Sequence, residues 1–228
     1  MKMHEVSIGT AIVALIEPHE GQAREFNRWY EGDHFYAAVT GGPGAFAGKR
    51  WVANRACKAA RAGGTLFGDR NRGSYLTTAW ILEGRQPAWD EWVRQQMKAI
   101  TEQDRLFAGR DHVHTAVYSH IATVGPAVYA LDRGYEGVLA IATTASSTDA
   151  VAWTHDNVGS AGIDAAVVLA PLRVVLSEAD PGEHMLILAF TTGDPIAASK
   201  RLDLPPGAGF ASPFLATVPG TDTYTDDL

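Results

Sequence analysis

The 228 residues are 46% hydrophobic and 20% charged, enough apolar material for one large buried core or two small ones. A formal charge of −7 and a pI of about 5.6 exclude a non-specific nucleic-acid binder, which needs a basic face. The single cysteine, Cys57, excludes an internal disulfide and suits a reducing, cytoplasmic compartment. Arg55, Lys58 and Arg61 would lower its pKa, but no motif makes it a nucleophile.

Residues 6–16 read as a buried strand. Glu5 interrupts the run early, Glu17-Pro18 ends it and no small-x-small cleavage site follows, unlike a secretion signal. No run approaches the ~18 apolar residues of a membrane span. A helix is expected over 20–35, where Ala23, Phe26, Trp29 and Tyr30 follow i, i+3, i+4 spacing. Gly32 costs about 1 kcal/mol relative to Ala, which sets His34 at or just past the helix C-terminal end. There the helix dipole favours a protonated imidazole. Tyr30 and His34, four residues apart, share a face. A His within one turn of Tyr30 and Asp33 is a proton-transfer candidate near neutral pH, and a helix-capping His explains the same spacing.

A strand over 46–52 carries Arg50, suited to gripping a carboxylate, and Trp51. The insertion 53–73 holds five basic residues against Asp69, a net of +4. A Gly-rich loop of that length reads as a basic lid for an anionic or phenolic ligand, or as a solvated surface loop. A strand over 74–83 follows, then a helix over 87–103 with Pro87 in its first turn and Trp89, Trp92, Val93, Met97 and Ile100 on one stripe. On the strand 112–124, His112, His114, Tyr118 and His120 share parity and point to one face, with Ala116 leaving room between them. They read as a polar wall opposite His34, or as a strand end facing solvent. Trp29, Trp51 and Tyr75 are rings that could stack on an aromatic substrate, whereas Trp80 and Trp92 read as core. His112 and His114 could ligate a metal with His34 or Asp111, but no third ligand stands at a fixed spacing, and no metal is assigned. Dinucleotide, phosphate-loop and serine-hydrolase signatures are absent, so no cofactor is expected.

The second half echoes the first. Gly9–Leu15 parallels 137–143 at an offset of 128, the run from Tyr75 parallels that from His184 at 109, and Ile121-Ala122-Thr123-Val124 parallels Leu215-Ala216-Thr217-Val218 at 94. The matches keep their order along the chain. They predict strands over 137–144, 166–175, 184–192 and 210–218, with helices over 148–158 and 195–201, a link over 125–134 and a mobile or loosely docked acidic tail over 219–228. Arg173 occupies the place comparable to Arg50. Aligning Trp29 with Trp153 puts Val158 opposite His34, so one active pocket is expected, in the first half, with His155 and Asp156 as candidates for a second.

The strand ending near Pro18, the run Phe26-Asn27-x-Trp29-Tyr30-x-x-x-His34, the turn Gly41-Gly42-Pro43-Gly44 and the strand with Arg50 together resemble the ferredoxin-like module of the dimeric α+β barrel superfamily. That group includes EthD-like proteins, antibiotic-biosynthesis monooxygenases, polyketide cyclases and muconolactone isomerases. The resemblance implies an α+β fold of two tandem β-α-β-β-α-β units, 1–124 and 135–218, whose antiparallel sheets pack into a barrel within one chain. Such a fused pseudo-dimer is a monomer or a homodimer. It also implies that His34 faces a pocket between helices and sheet.

The function expected is a small-molecule enzyme using acid–base chemistry on a hydrophobic cyclic or aromatic substrate, of lyase, cyclase or isomerase type. His34, Tyr30, Asp33, His114 and His120 would be the proton-transfer groups, and Trp29, Arg50, Trp51, Tyr75 and Tyr118 would hold the substrate. A cofactor-independent monooxygenase and a non-catalytic binding or stress protein of the same fold are the alternatives. No nucleic-acid or membrane partner is expected.

Overall fold

Short apolar runs ended by Gly, Pro and Asp build eight strands, and amphipathic or small-residue segments between them build the helices. In the computed structural model, which describes residues 6–126 and 134–228, the first half runs β1 (Ile8–Pro18), α1 (Ala23–Trp29), β2 (Ala45–Val52), α2 (Arg55–Ala59), β3 (Tyr75–Leu82), α3 (Gln86–Glu102) and β4 (Arg110–Val124). The second runs β5 (Gly137–Thr143), α4 (Ser147–Asn157), β6 (Ala165–Ser177), β7 (Met185–Thr191), α5 (Pro195–Ser199) and β8 (Ala208–Ala216). The expected link over 125–134 and the N-terminal residues 1–5 lie largely outside the described residues.

The fold is α+β, with one antiparallel sheet in the order β1-β3-β2-β8-β5-β7-β6-β4. β4 pairs back with β1, so the ring of pairings closes. The two seams between the halves are unequal. β4 and β6 pair from His114↔Ser177 to Val124↔Ala166, whereas β2 and β8 share only Trp51↔Ala216 and Val52↔Leu215. Inward side chains, among them Trp51, Trp80, Tyr118, Phe190 and Phe214, make the central core. On the outer face of the first half, Ile12, Ile81 and Val117 pack against Trp89 of α3, and Ile16 and Tyr75 pack against Phe26 of α1 and Tyr30 just after it.

Four expectations need correction. First, the helix with His34 does not stop at Gly32. It continues from α1 as a π-helical segment, Tyr30–Thr40, so His34 lies inside a helical run and not at its C-terminal end. Second, β4 does not keep one parity. Leu15 pairs with His114 and Ile16 with His112, which leaves Val113 as the extra residue of a bulge. His112 therefore faces outward with Thr115 and Val117, while His114, Ala116 and Tyr118 face the barrel interior.

Third, the insertion is not a free basic lid. Arg61 is buried and donates to Ser212 Oγ (2.9 Å) and to the carbonyls of Arg70, Arg72 and Gly73 (2.6–2.7 Å). Arg72 pairs with Asp111 and Glu178, Lys58 with Glu17, and Arg55 with Asp227. The loop folds inward over the barrel and places Phe67 in the core. Fourth, the acidic tail is docked. Asp222 and Asp226 pair with Arg28 and Arg24, the Asn27 amide donates to the Thr221 carbonyl (2.9 Å), and Gly220 N–H donates to Glu31 (3.0 Å). No helix among the described residues is long and apolar enough to cross a membrane.

Candidate functional site

A cavity of about 640 Å³ lies between the helices and the outer face of the sheet in the first half. Its floor is β1, β4 and the distal part of β6; its roof is the π-helical segment and α3. Most of the lining is apolar, including Ile12, Val39, Trp89, Val93, Met97 and Leu106. The polar groups include Tyr30, His34, Arg110 and His112, the hydroxyls of Thr77 and Thr115, and Arg94 of α3, which pairs with Glu91 on its own helix. At the other side Arg173 of β6 and Asp90 of α3 pair at 2.6 Å and join floor to roof.

His34 is held by rings. It stacks on Trp29 with centroids 4.5 Å apart and meets Tyr30 edge-on at 5.1 Å. Its Nδ1 is buried with no hydrogen-bond partner among the described residues. Burial lowers its pKa from 6.5 to about 4, helped by Arg110 and His112 and opposed by Asp33, so the ring is neutral at pH 7. His112 is likewise lowered to about 4, first by burial and then by Arg110, with Nδ1 2.8 Å from Thr115 Oγ1. Burial raises the pKa of Tyr30, against the pull of the Thr77 hydroxyl and of Arg50 and Arg110. Tyr30 therefore stays protonated.

Arg110 was not found from the sequence, because the strand was expected to begin at His112. It is half-buried, its guanidinium lies 4.6 Å from the Trp29 ring centre, and it has no carboxylate partner among the described residues. Burial lowers its pKa, yet an Arg stays charged at pH 7. The signal was present: Arg110 and His112 sit two apart on one strand and so share a face. A partly buried guanidinium without a carboxylate partner carries a desolvation cost, and an anionic ligand would compensate it.

The other sequence candidates lie elsewhere. Asp33 turns outward to Arg105. Arg50 is buried in an internal network, 2.9 Å from Glu31 and 2.8 Å from Asn27 Oδ1, with Tyr30 and Tyr75 against its guanidinium. Arg173, expected to match it, is half exposed and bound to Asp90. Trp51 points into the barrel, donates to Thr78 Oγ1 (3.1 Å) and packs on Phe190. His114 and Tyr118 are interior, and His120 is tied to Thr123 (2.8 Å) away from the cavity. The bulge sets His112 and His114 on opposite faces, so the pair cannot share a metal. No three His, Cys, Asp or Glu side chains among the described residues form a metal shell. His155 and Asp156 are exposed on α4 and line no cavity described here. The site thus combines His34, Tyr30, Trp29 and His112 from the sequence reading with Arg110, which that reading lacked.

No protein-family model and no curated protein matches the chain. Solved structures match it in shape. An anthrone oxidase-like protein aligns at 8% identity over 93% of this chain and 92% of its own, with a TM-score of 0.53. A candidate monooxygenase from Fusobacterium nucleatum subsp. nucleatum aligns at 7% identity over 94% of each chain, with a TM-score of 0.51. A variant of Rhodococcus jostii RHA1 DypB in complex with heme aligns at 9% identity over 100% of this chain and 98% of its own, with a TM-score of 0.54. The chain shares an α+β fold with these proteins. At these identities the likeness concerns the fold alone, a scaffold that carries enzymes of several chemistries.

Proposed function

We propose that this chain is a small-molecule enzyme that takes a proton from a hydrophobic cyclic or aromatic substrate and holds the resulting anion on Arg110. The observation that carries the reading is the Arg110 guanidinium, without a carboxylate partner among the described residues, beside two uncharged histidines in a cavity with a mostly apolar lining. A neutral imidazole can accept a proton where a protonated one cannot, and His34 is the candidate base. A substrate anion forming beside it would raise its pKa from about 4 toward a working range. Tyr30, kept protonated, would donate a hydrogen bond to the substrate oxygen, and Trp29 would form the back of the base. A general base contributes about 100- to 10,000-fold, and positioning in a dry cavity the rest.

Proton removal next to a carbonyl leads to isomerisation, cyclisation or elimination. A cofactor-independent monooxygenase, in which the substrate anion reduces oxygen, needs the same residues; the likeness to an anthrone oxidase-like protein supports that second reading. The test is turnover of phenolic and polyketide-like substrates with an oxygen electrode. Loss of turnover in both His34→Ala and Arg110→Gln, with the fold retained by circular dichroism, is the expected result. Unchanged turnover in either sinks the reading, and oxygen uptake stoichiometric with substrate decides for the monooxygenase.

We also read the chain as two fused ferredoxin-like units, 1–124 and 135–218, forming one barrel. The repeated β-α-β-β-α-β order and the two β–β seams support it. A fused pair of this kind needs no second chain to cover its inner sheet faces.

A further inference from the structure

The barrel interior holds a polar cluster that the proposed reaction does not use. His114 Nε2 is 2.8 Å from the Tyr118 hydroxyl, and His184 Nε2 is 2.9 Å from the same oxygen. All three residues are buried, at 2%, 0% and 4% exposure for His114, Tyr118 and His184. The other nitrogen of each ring is already engaged. His184 Nδ1 faces the Gly182 carbonyl at 3.0 Å, which only accepts, so Nδ1 carries the proton and Nε2 the lone pair. His114 Nδ1 faces Ser177 Oγ at 3.1 Å, and the serine proton is directed at the Val113 carbonyl at 3.4 Å. In the tautomer in which His114 Nδ1 donates to Ser177, its Nε2 too presents a lone pair; in the other, Nε2–H donates to Tyr118. Both Nε2 atoms converge on the one phenol oxygen, and in the first tautomer a single phenol proton stands between two imidazole lone pairs. A cation in place of that proton serves both, and the phenolate oxygen as well.

We propose that His114, His184 and Tyr118 bind one first-row divalent transition cation through two imidazole nitrogens and a phenolate oxygen. Binding releases the Tyr118 proton to solvent. Two neutral imidazole nitrogens and one anionic oxygen suit Zn²⁺ or Cu²⁺ better than Mg²⁺ or Ca²⁺, which favour all-oxygen shells. A tetrahedral centre with bonds of about 2.0–2.1 Å separates its ligands by about 3.3 Å, so the cluster opens by roughly half an ångström to admit the ion. The Gly182 carbonyl and Ser177 hydroxyl stand where the outer partners of metal-bound imidazoles stand. A cavity of about 10 Å³ beside His114 and Tyr118 has room for one water-sized group at a fourth position. Phe67, stacked on His114 at 4.4 Å, closes this chamber from the insertion.

The experiment is titration of the chelator-treated full-length protein with Cu²⁺, followed by visible absorption, with Zn²⁺ as competitor. Expected are one equivalent bound, a phenolate-to-copper charge-transfer band, and loss of that band on adding Zn²⁺. Tyr118→Phe should abolish the band, Ser177→Ala should weaken binding about 10- to 100-fold, and His34→Ala should change neither. Absence of stoichiometric binding by the unmodified chain overturns the proposal, as does a band that survives Tyr118→Phe or disappears in His34→Ala. If Tyr118→Phe does not fold, His184→Gln decides: it must weaken binding at least about tenfold, and unchanged binding overturns the assignment.

Discussion

The His34 imidazole lies against the Trp29 indole with centroids 4.5 Å apart and planes 23° apart. The two are five residues apart, one turn of a helix with i→i+5 bonding; in an α-helix the vertical neighbours are three or four apart. The widened turn therefore makes the stack that shields the base. Trp29→Leu opens the ring to water, and the His34 pKa should climb from about 4 toward its ordinary 6.5. NMR titration of the imidazole carbon-bound proton reads this directly. A pKa still near 4 in the variant would show that Trp29 does not hold it down.

Stability should fall with acidification earlier than carboxylate chemistry alone predicts. His34, His112 and His114 are all lowered to about 4, mainly by burial, against 6.5 in the unfolded chain. Between those values the unfolded chain binds more protons than the folded one, so stability is present above pH 6.5 and is lost as pH drops toward 4. Each histidine contributes a slope of up to about 1.4 kcal/mol per pH unit. Urea denaturation at pH 4.5, 5.5 and 7 measures it, and a flat profile over that window contradicts the buried neutral state of the three rings.

Arg110 should matter to binding and not to folding. It is a half-buried charge without a carboxylate partner among the described residues, so Arg110→Met is expected to leave the melting temperature unchanged or raise it. The same variant should weaken binding of an anionic aromatic probe by about 10-fold or more, the worth of a charged hydrogen bond. Calorimetry on one variant gives both quantities. A large drop in melting temperature would identify the guanidinium as structural.

Arg61 is the reverse case. Its donors serve Ser212 and three loop carbonyls, and Phe210 and Phe214 flank it. Arg61→Ala strips these acceptors inside the protein and should cost about 3–5 kcal/mol in urea denaturation. Increased protease cleavage within 62–72 should accompany it. A cost under about 1 kcal/mol would mean that the insertion is held by something else.

Periodicity, turn residues and the internal echo made the order of strands and helices legible, because each depends on neighbours in sequence. His34 and Tyr30 were legible for the same reason. The rest depended on what the sequence does not display. A π-helical turn and a one-residue bulge change phase without any obvious signal in composition, so the helix end near Gly32 and the shared face of His112 and His114 were both misread. Charge counting treated the insertion as basic surface, although Arg61 spends its charge on carbonyls inside. Arg50 looked like a ligand-binding arginine because its internal partner, Glu31, is distant in sequence and lies on another element.

The extra residue at Val113 has a consequence for how such a site can change. On a strand, a slip of one residue in the pairing moves every later side chain to the opposite compartment. Here the bulge holds such a slip in place and separates an imidazole given to the outer cavity from one given to the barrel chamber, although the two are only two residues apart. A descendant in which the strand paired regularly through Val113 would bring both imidazoles into one compartment without acquiring a single new residue type. Reactivity on this scaffold can thus be redistributed by a change of phase, a step that comparison of aligned side chains alone would not record.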